Sequence, residues 1–166
     1  MKKNIYLLRH AQADEKMSEE ADLDRALNAT GLQNATKMGI NFHKKAVVFD
    51  IIISSPAVRA LATATLVAEQ VKYDSNRIHQ NSEIYEACIR TLLKVVNQLK
   101  EEWSTVLLVG HNPSITYLAE YISKAEIGNM TTCGVAQLSF DNMTWEEISE
   151  GNGHLTSYEY TSLLNF

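Results

Sequence analysis

Three short clusters in this chain combine residue types suited to holding and moving a phosphoryl group: Arg9-His10, Ser54-Ser55-Pro56 with Arg59 just beyond, and Gly110-His111-Asn112-Pro113. Planar guanidinium forks match phosphoryl oxygens, and an imidazole kept neutral beside them can act as a nucleophile. Taken singly, a histidine after a strand is more often a packing residue, and an arginine in the first turn of a helix is more often a solvated charge. Two histidines and two arginines at three convergent strand exits make that plain reading the weaker one. A metal site built from His10, His111 and Asp14 is the other chemistry open to these types. No HxxxH or HExxH spacing supports it, and the neighbouring arginines would repel a cation.

The clusters gain their meaning from the elements that carry them. Ile5 to Leu8 is a short apolar run ending in charge, Val47 to Ile53 is nearly continuous and β-branched, and Thr105 to Val109 is a third apolar run, so each reads as a buried strand. Between them, Leu32, Ala35, Met38 and Phe42 repeat at helical spacing after Gly31. Leu61, Ala64, Ala68 and Val71 do the same, as do Ile89, Leu92, Leu93, Val96, Leu99 and Trp103, and then Ile115, Leu118, Ala119 and Ile122. Such βαβα order implies a three-layer α/β/α fold with a mostly parallel central sheet. From Gly134 onward, Val135 to Phe140, Thr144 to Ile148 and His154 to Tyr160 read as strands that extend the sheet with antiparallel edges. Ligands of an open α/β sheet bind beyond the carboxyl ends of the strands, so all three clusters face one crevice.

Both prolines share a local grammar. Ser55 and Asn112 are predicted N-caps, with Pro56 and Pro113 at the first helical position, so two helix N-termini would present free N–H groups to an anion. Arg59 then falls in a first turn, where a cation is unfavourable unless it faces something negative.

Composition narrows the partners. The 166 residues carry 20 Asp+Glu against 15 Lys+Arg, a net charge of -5 with no basic run, which argues against nucleic acid. Their length and 45% hydrophobic content fit one domain over residues 1–166. Cys88 and Cys133 lack a CxxC pattern and read as idle thiols of a reducing compartment. The stretch from Ile5 to Leu8 is too short for a signal peptide, and no segment approaches the roughly 20 apolar residues of a membrane span, so the expected location is cytoplasmic, away from membranes. His43, His79 and His154 lie in polar contexts and are expected on the surface.

Leu8-Arg9-His10-Ala11, Ser54-Ser55-Pro56-Ala57-Val58-Arg59 and Val109-Gly110-His111-Asn112-Pro113 resemble the signature blocks of the histidine phosphatase superfamily, whose fold is called phosphoglycerate mutase-like. They are most similar to its short SixA-type phosphohistidine phosphatase branch. The likeness continues through Asp22-Leu23-Asp24-Arg25-Ala26-Leu27 to Gly31, and through Ile84-Tyr85-Glu86-Ala87, so it covers nearly the whole chain. Ala11 stands where the wider superfamily commonly has Gly.

By position, the resemblance implies that His10 is the nucleophile that becomes phosphorylated, with Arg9, Arg59 and His111 around the phosphoryl group. Glu86 matches the acid that protonates the leaving group in many members, and Glu83 competes for that role; Glu86 could equally complement the dipole of the following helix. The implied activity is a metal-independent phosphatase with no cofactor, acting on protein phosphohistidine. A small-molecule phosphomonoesterase or mutase of the same superfamily, and a phosphate-binding regulatory module without turnover, are the alternatives. Six carboxylates between Asp14 and Asp24 would repel a polyanionic small molecule at the crevice mouth, unless Arg25 points inward to offset them.

Overall fold

The computed structural model describes residues 1–15 and 21–164. Strands β1 (Lys2–Arg9), β2 (Ile51–Ser54), β3 (His79–Gln80), β4 (Thr105–Gly110), β5 (Val135–Asp141) and β6 (His154–Glu159) form one sheet in the order β3-β2-β4-β1-β5-β6. The first four strands in that order run parallel, while β5 and β6 add antiparallel on the far side of β1. Helices α1 (Ala29–Lys44), α2 (Val58–Gln70), α3 (Ile89–Asn97) and α4 (Ser114–Ser123) cover both faces. No helix among the described residues is long and apolar enough to cross a membrane.

The two-residue period of the parallel strands divides their side chains between two cores. Ile5, Leu7, Ile51, Ile53, Val106 and Leu108 pack with Leu92 and Val96 of α3 and with Ile115 and Leu118 of α4. The alternate residues Leu8, Ile52, Leu107 and Val109 pack with Ala35, Met38 and Phe42 of α1 and Ala60, Ala64 and Val67 of α2. The strands are therefore apolar on both faces, which is why they appear in the sequence as unbroken runs. Parallel pairing brings Arg9 beside Gly110, and Ser54 beside Val109, at one edge of the sheet.

Helix α1 shows how the chain beyond β1 is held. The Asn28 side chain caps it by accepting from Gly31 N–H at 2.8 Å, and His43 and Lys44 complement its last turn. A Cβ at Gly31 would lie 2.0 Å from the Gln12 carbonyl oxygen, so only glycine lets the helix approach the segment that follows His10.

Four sequence expectations need correction. Val47 to Ile53 is not strand throughout, because β2 starts at Ile51. The Asp50 carboxylate accepts the amides of Ser104 and Thr105, and Val47 is bonded back to the end of α1, so the first half of that run is spent in turning. Thr144 to Ile148 is not a strand but a 3-10 turn over Trp145–Glu147, fixed by a reciprocal capping box between Thr144 and Glu147 that leaves Trp145 fully buried. Helix α3 stops at Asn97, short of Trp103; the Asn97 amide instead binds the carbonyls of Trp145 and Ile148. The helix starts are also displaced: α2 begins at Val58 after Ala57, and α4 at Ser114 after Pro113, so neither Ser55 nor Asn112 is the cap residue. Both side chains are engaged elsewhere, as the site makes clear.

Candidate active site

At the carboxyl edge of the sheet a cavity of about 300 Å³ is lined by Arg9, His10, Arg25, Arg59 and His111, with Gln12 and Thr132 at its margin. Three arginines and two histidines line it and, among the described residues, no carboxylate does, in a chain whose net charge is negative. The strand ends fix this convergence. Arg9 closes β1, with its amide bonded to Gly134, and the Cys133 amide donates to the carbonyls of both Arg9 and His10. His10 N–H then binds the Gly110 carbonyl at the end of β4, which sets the first histidine beside the second. Their ring centroids lie 5.2 Å apart.

The hydrogen bonds of the two rings assign their tautomers. His10 Nδ1 lies 2.7 Å from the Ala11 carbonyl oxygen. A carbonyl can only accept, so Nδ1 carries the proton and the lone pair of a neutral ring resides on Nε2. His111 Nε2 is 2.7 Å from Ser55 Oγ, which already accepts from the Ala57 amide. Ser55 is fully buried and, among the described residues, His111 Nε2 is the acceptor recorded for its hydroxyl proton, so Oγ–H donates to Nε2 and Nδ1–H of His111 is left as a donor. That Nδ1 is buried without a protein partner, and so are Nε of Arg9 and Nε of Arg59. Three orphaned donors on residues lining one cavity are what an oxyanion with several acceptor oxygens would satisfy.

Burial dominates the titration of both rings. It pushes His10 down to about 4, assisted by Arg59, Arg9 and Arg25 and opposed by the Ala11 carbonyl. His111 falls to about 3, again mainly by burial, with His10 and Arg59 adding to it and Asp22 opposing. Both rings are neutral near pH 7. Arg9 is also lowered by burial.

A residue without a role in the sequence reading organises the wall. Asp22, in a 3-10 turn over Asp22–Asp24, accepts Arg59 Nη1 on its carbonyl at 2.7 Å and Arg59 Nη2 on Oδ2 at 3.0 Å. The same carboxylate accepts Arg25 Nε at 2.9 Å and the Tyr85 hydroxyl at 2.7 Å. The Tyr85 hydrogen bond, followed by those from the two arginines, holds Asp22 well below the ordinary carboxylate range. Arg25 lines the cavity, held from behind by Asp22 and by the Asp14 carbonyl. Within the acidic stretch, then, Asp22 is neutralised by arginine and is no solvated repeller of anions; Glu19 and Glu20 lie outside the described residues. The available signal for Asp22 was its place three residues before Arg25 in a turn.

Of the remaining candidates, Asn112 also lines this cavity, whereas Glu86, Glu83, His43, His79 and His154 do not. Glu86 does not line it; the residue is exposed, with φ of 55° in the left-handed region, just after Tyr85, whose ring meets His111 edge-on at 5.6 Å between centroids. Glu83 is exposed in the 3-10 turn over Ser82–Ile84. Asn112 is committed to Met130 and Asn129 through its amide nitrogen, and its oxygen accepts from Thr116. His43, His79 and His154 are exposed. The two thiols divide, Cys133 buried and pushed up to about 12, Cys88 exposed.

Comparison with known proteins agrees with this geometry. The pattern of the histidine phosphatase superfamily (branch 1) matches residues 5–91. A candidate phosphohistidine phosphatase SixA of Agrobacterium tumefaciens superimposes with a TM-score of 0.79 at 27% identity, covering 95% of this chain and 97% of that one. The protein histidine phosphatase SixA solved with tungstate gives a TM-score of 0.83 at 22% identity, covering 98% and 99%. A broad-specificity phosphatase of Saccharomyces cerevisiae is 27% identical over 73 residues, 43% of this chain and 32% of its own length. The chain belongs to the histidine phosphatase superfamily, branch 1, and is a phosphatase.

Proposed function

We propose that the chain removes phosphoryl groups from protein phosphohistidine by way of a phosphorylated His10. In the first step the Nε2 lone pair of His10 attacks phosphorus in line as the new P–N bond forms; the bond from phosphorus to the substrate ring breaks, its electron pair stays with that ring, and the ring, protonated beforehand on its other nitrogen, leaves as neutral imidazole. Arg9, Arg25 and Arg59, with Nδ1–H of His111, balance the charge on the phosphoryl oxygens, which makes the step independent of a metal ion. Water attacks the phosphohistidine in the second step and releases phosphate and neutral His10.

The observation that carries this reading is the combination of a neutral His10 with three buried donors that have no partner, in a cavity lined by no carboxylate, among the described residues. An alkoxide leaving group needs a proton delivered in the transition state, whereas a phosphohistidine ring already protonated on its other nitrogen departs as neutral imidazole without an enzymic acid. A crevice lined by no carboxyl group among the described residues therefore suits the P–N bond. Similarity over nearly full length to proteins named SixA supports the same choice. The likeness to a broad-specificity phosphatase favours a second reading, hydrolysis of small phosphomonoesters.

The purified protein assayed with EDTA against a phosphohistidine-bearing protein and a panel of phosphorylated metabolites separates the two. Preference for the phosphoprotein in kcat/KM is the expected result. A metabolite turned over faster, or strict dependence on added divalent cation, overturns the proposal.

A further inference from the structure

Beyond the catalytic crevice, a second hollow lies where the sheet ends, and the chain itself explains why it is there. β3 is only two residues long and pairs with Ile53 and Ser54 alone, so no outer strand covers the start of β2. Helix α3 ends at Asn97, before Leu99 and Trp103. The result is a cavity of about 550 Å³, within the range of small-molecule sites, floored by Ile51, Ile53, Ile78, Val95 and Leu99. Trp103 forms one wall.

Its charge is one-sided. Arg77, His79 and Lys100 line this cavity, together with side-chain amides including Asn81 and Gln98, and no carboxylate is among the lining residues. Neither Arg77 nor Lys100 forms an ion pair among the described residues. Each is instead laid over an aromatic ring, Arg77 on Tyr73 at 5.3 Å and Lys100 on Trp103 at 5.4 Å to the centroid, which holds the cations at the surface without neutralising them. Among the carboxylates nearby, Glu101 pairs with Lys3, Asp50 accepts the amides of Ser104 and Thr105, and Asp74 accepts the Asn76 amide and lines an adjoining hollow with Tyr73 and Arg77, at more than ion-pair distance from the guanidinium. An apolar floor beneath unpaired cations, in a chain of net charge -5, selects for one kind of molecule.

We propose that this cavity binds a small organic anion with an apolar or aromatic body, its body against Ile53, Leu99 and Trp103 and its head group on Arg77 and Lys100. Phosphate alone would gain the cations but leave the apolar floor wet, so the ligand class differs from that of the catalytic crevice.

Anilinonaphthalene sulfonate is a suitable probe, titrated into the full chain while backbone amide chemical shifts are followed. Saturable binding with shifts concentrated at 76–81 and 95–103 is expected, unaffected by saturating inorganic phosphate. The double variant Arg77→Gln, Lys100→Gln should weaken the sulfonate about tenfold or more, the scale of one charge-assisted hydrogen bond, while leaving the uncharged anilinonaphthalene unchanged. Both side chains are exposed, and preserved shift dispersion elsewhere verifies the fold. Shifts confined to the catalytic crevice or to the α1–α2 surface, equal affinity for charged and uncharged probes, or absence of saturation would each overturn the proposal.

Discussion

Asp22 grips Arg59 twice, with its carbonyl on Nη1 and its carboxylate on Nη2, and so turns the arginine's Nε, its one unpartnered nitrogen, toward its remaining neighbours. The same carboxylate holds Arg25 and Tyr85. Asp22→Ala should therefore lower kcat/KM by about 10²-fold through misplacement of two cations. Asp22→Asn keeps an acceptor and should fall between the variant and the parent. Steady-state kinetics with phosphate inhibition reads this out, since loosened arginines weaken product binding in parallel with catalysis. Unchanged inhibition by phosphate in Asp22→Ala would show that the turn does not position the arginines.

His10→Ala should abolish turnover and prevent trapping of a phosphorylated enzyme, with the fold retained. The ring lies in the crevice at the carboxyl edge of the sheet, outside the two hydrophobic cores that α1 to α4 build on it. Acid-quenched labelling with a phosphoryl donor and a thermal melt test the two halves separately. Residual full activity would sink the nucleophile assignment.

The pH profile follows from the lowered histidines. A nucleophilic imidazole must be unprotonated, and His10 stays so down to about 4, so the acidic limb of kcat/KM should fall near that value and well below the ordinary 6.5. An acid-stable aryl phosphate is the substrate to use. Stability has the matching sign: a pKa depressed on folding means that stability is fully present above about pH 6.5 and is lost as pH falls through the folded values near 4 and 3. Urea midpoints should decline over that window, and less steeply in His10→Ala.

Much of this site is legible in the sequence because its parts lie at strand ends. Arg9, His10, Arg59 and His111 each follow an apolar run within a few residues, and parallel pairing must then bring them to one edge. What the sequence hides is contact between side chains far apart in the chain. Nothing local marks Tyr85 as the donor to Asp22, or Ser55 as the group that fixes the His111 tautomer, since those bonds span 63 and 56 positions. The assumed roles of Ser55 and Asn112 as helix caps failed for the same reason: both side chains have distant partners. Thr144 to Ile148 failed differently, because Thr, Trp and Ile are residue types that favour strands while Thr144 and Glu147 at capping-box spacing specify a turn.

Oxyanions should bind competitively in the catalytic crevice. Phosphate or vanadate supplies acceptors for Nε of Arg9, Nε of Arg59 and Nδ1 of His111, all buried and unpartnered. Arg59→Ala should weaken vanadate inhibition about tenfold or more, and EDTA, which itself complexes vanadate, should leave turnover and inhibition by phosphate unaltered. Vanadate located elsewhere in a soaked crystal would contradict the assignment of the crevice.

Glu86→Gln should separate the two substrate classes. The side chain is exposed, outside the cavity lining, yet follows Tyr85 directly, and the glutamine keeps its size and its left-handed backbone while removing the proton. General acid catalysis matters only where the leaving group is a strong base, and it is then worth about 10²- to 10⁴-fold. If Glu86 reaches the leaving group of a bound ester, hydrolysis of alkyl phosphates falls steeply in the variant. Hydrolysis of phosphohistidine should hardly change, because imidazole departs without that proton. Equal losses on both substrates would assign Glu86 to ordering the segment that carries Tyr85, and no loss on either would move the acid to Glu83 or to water, which Glu83→Gln then distinguishes.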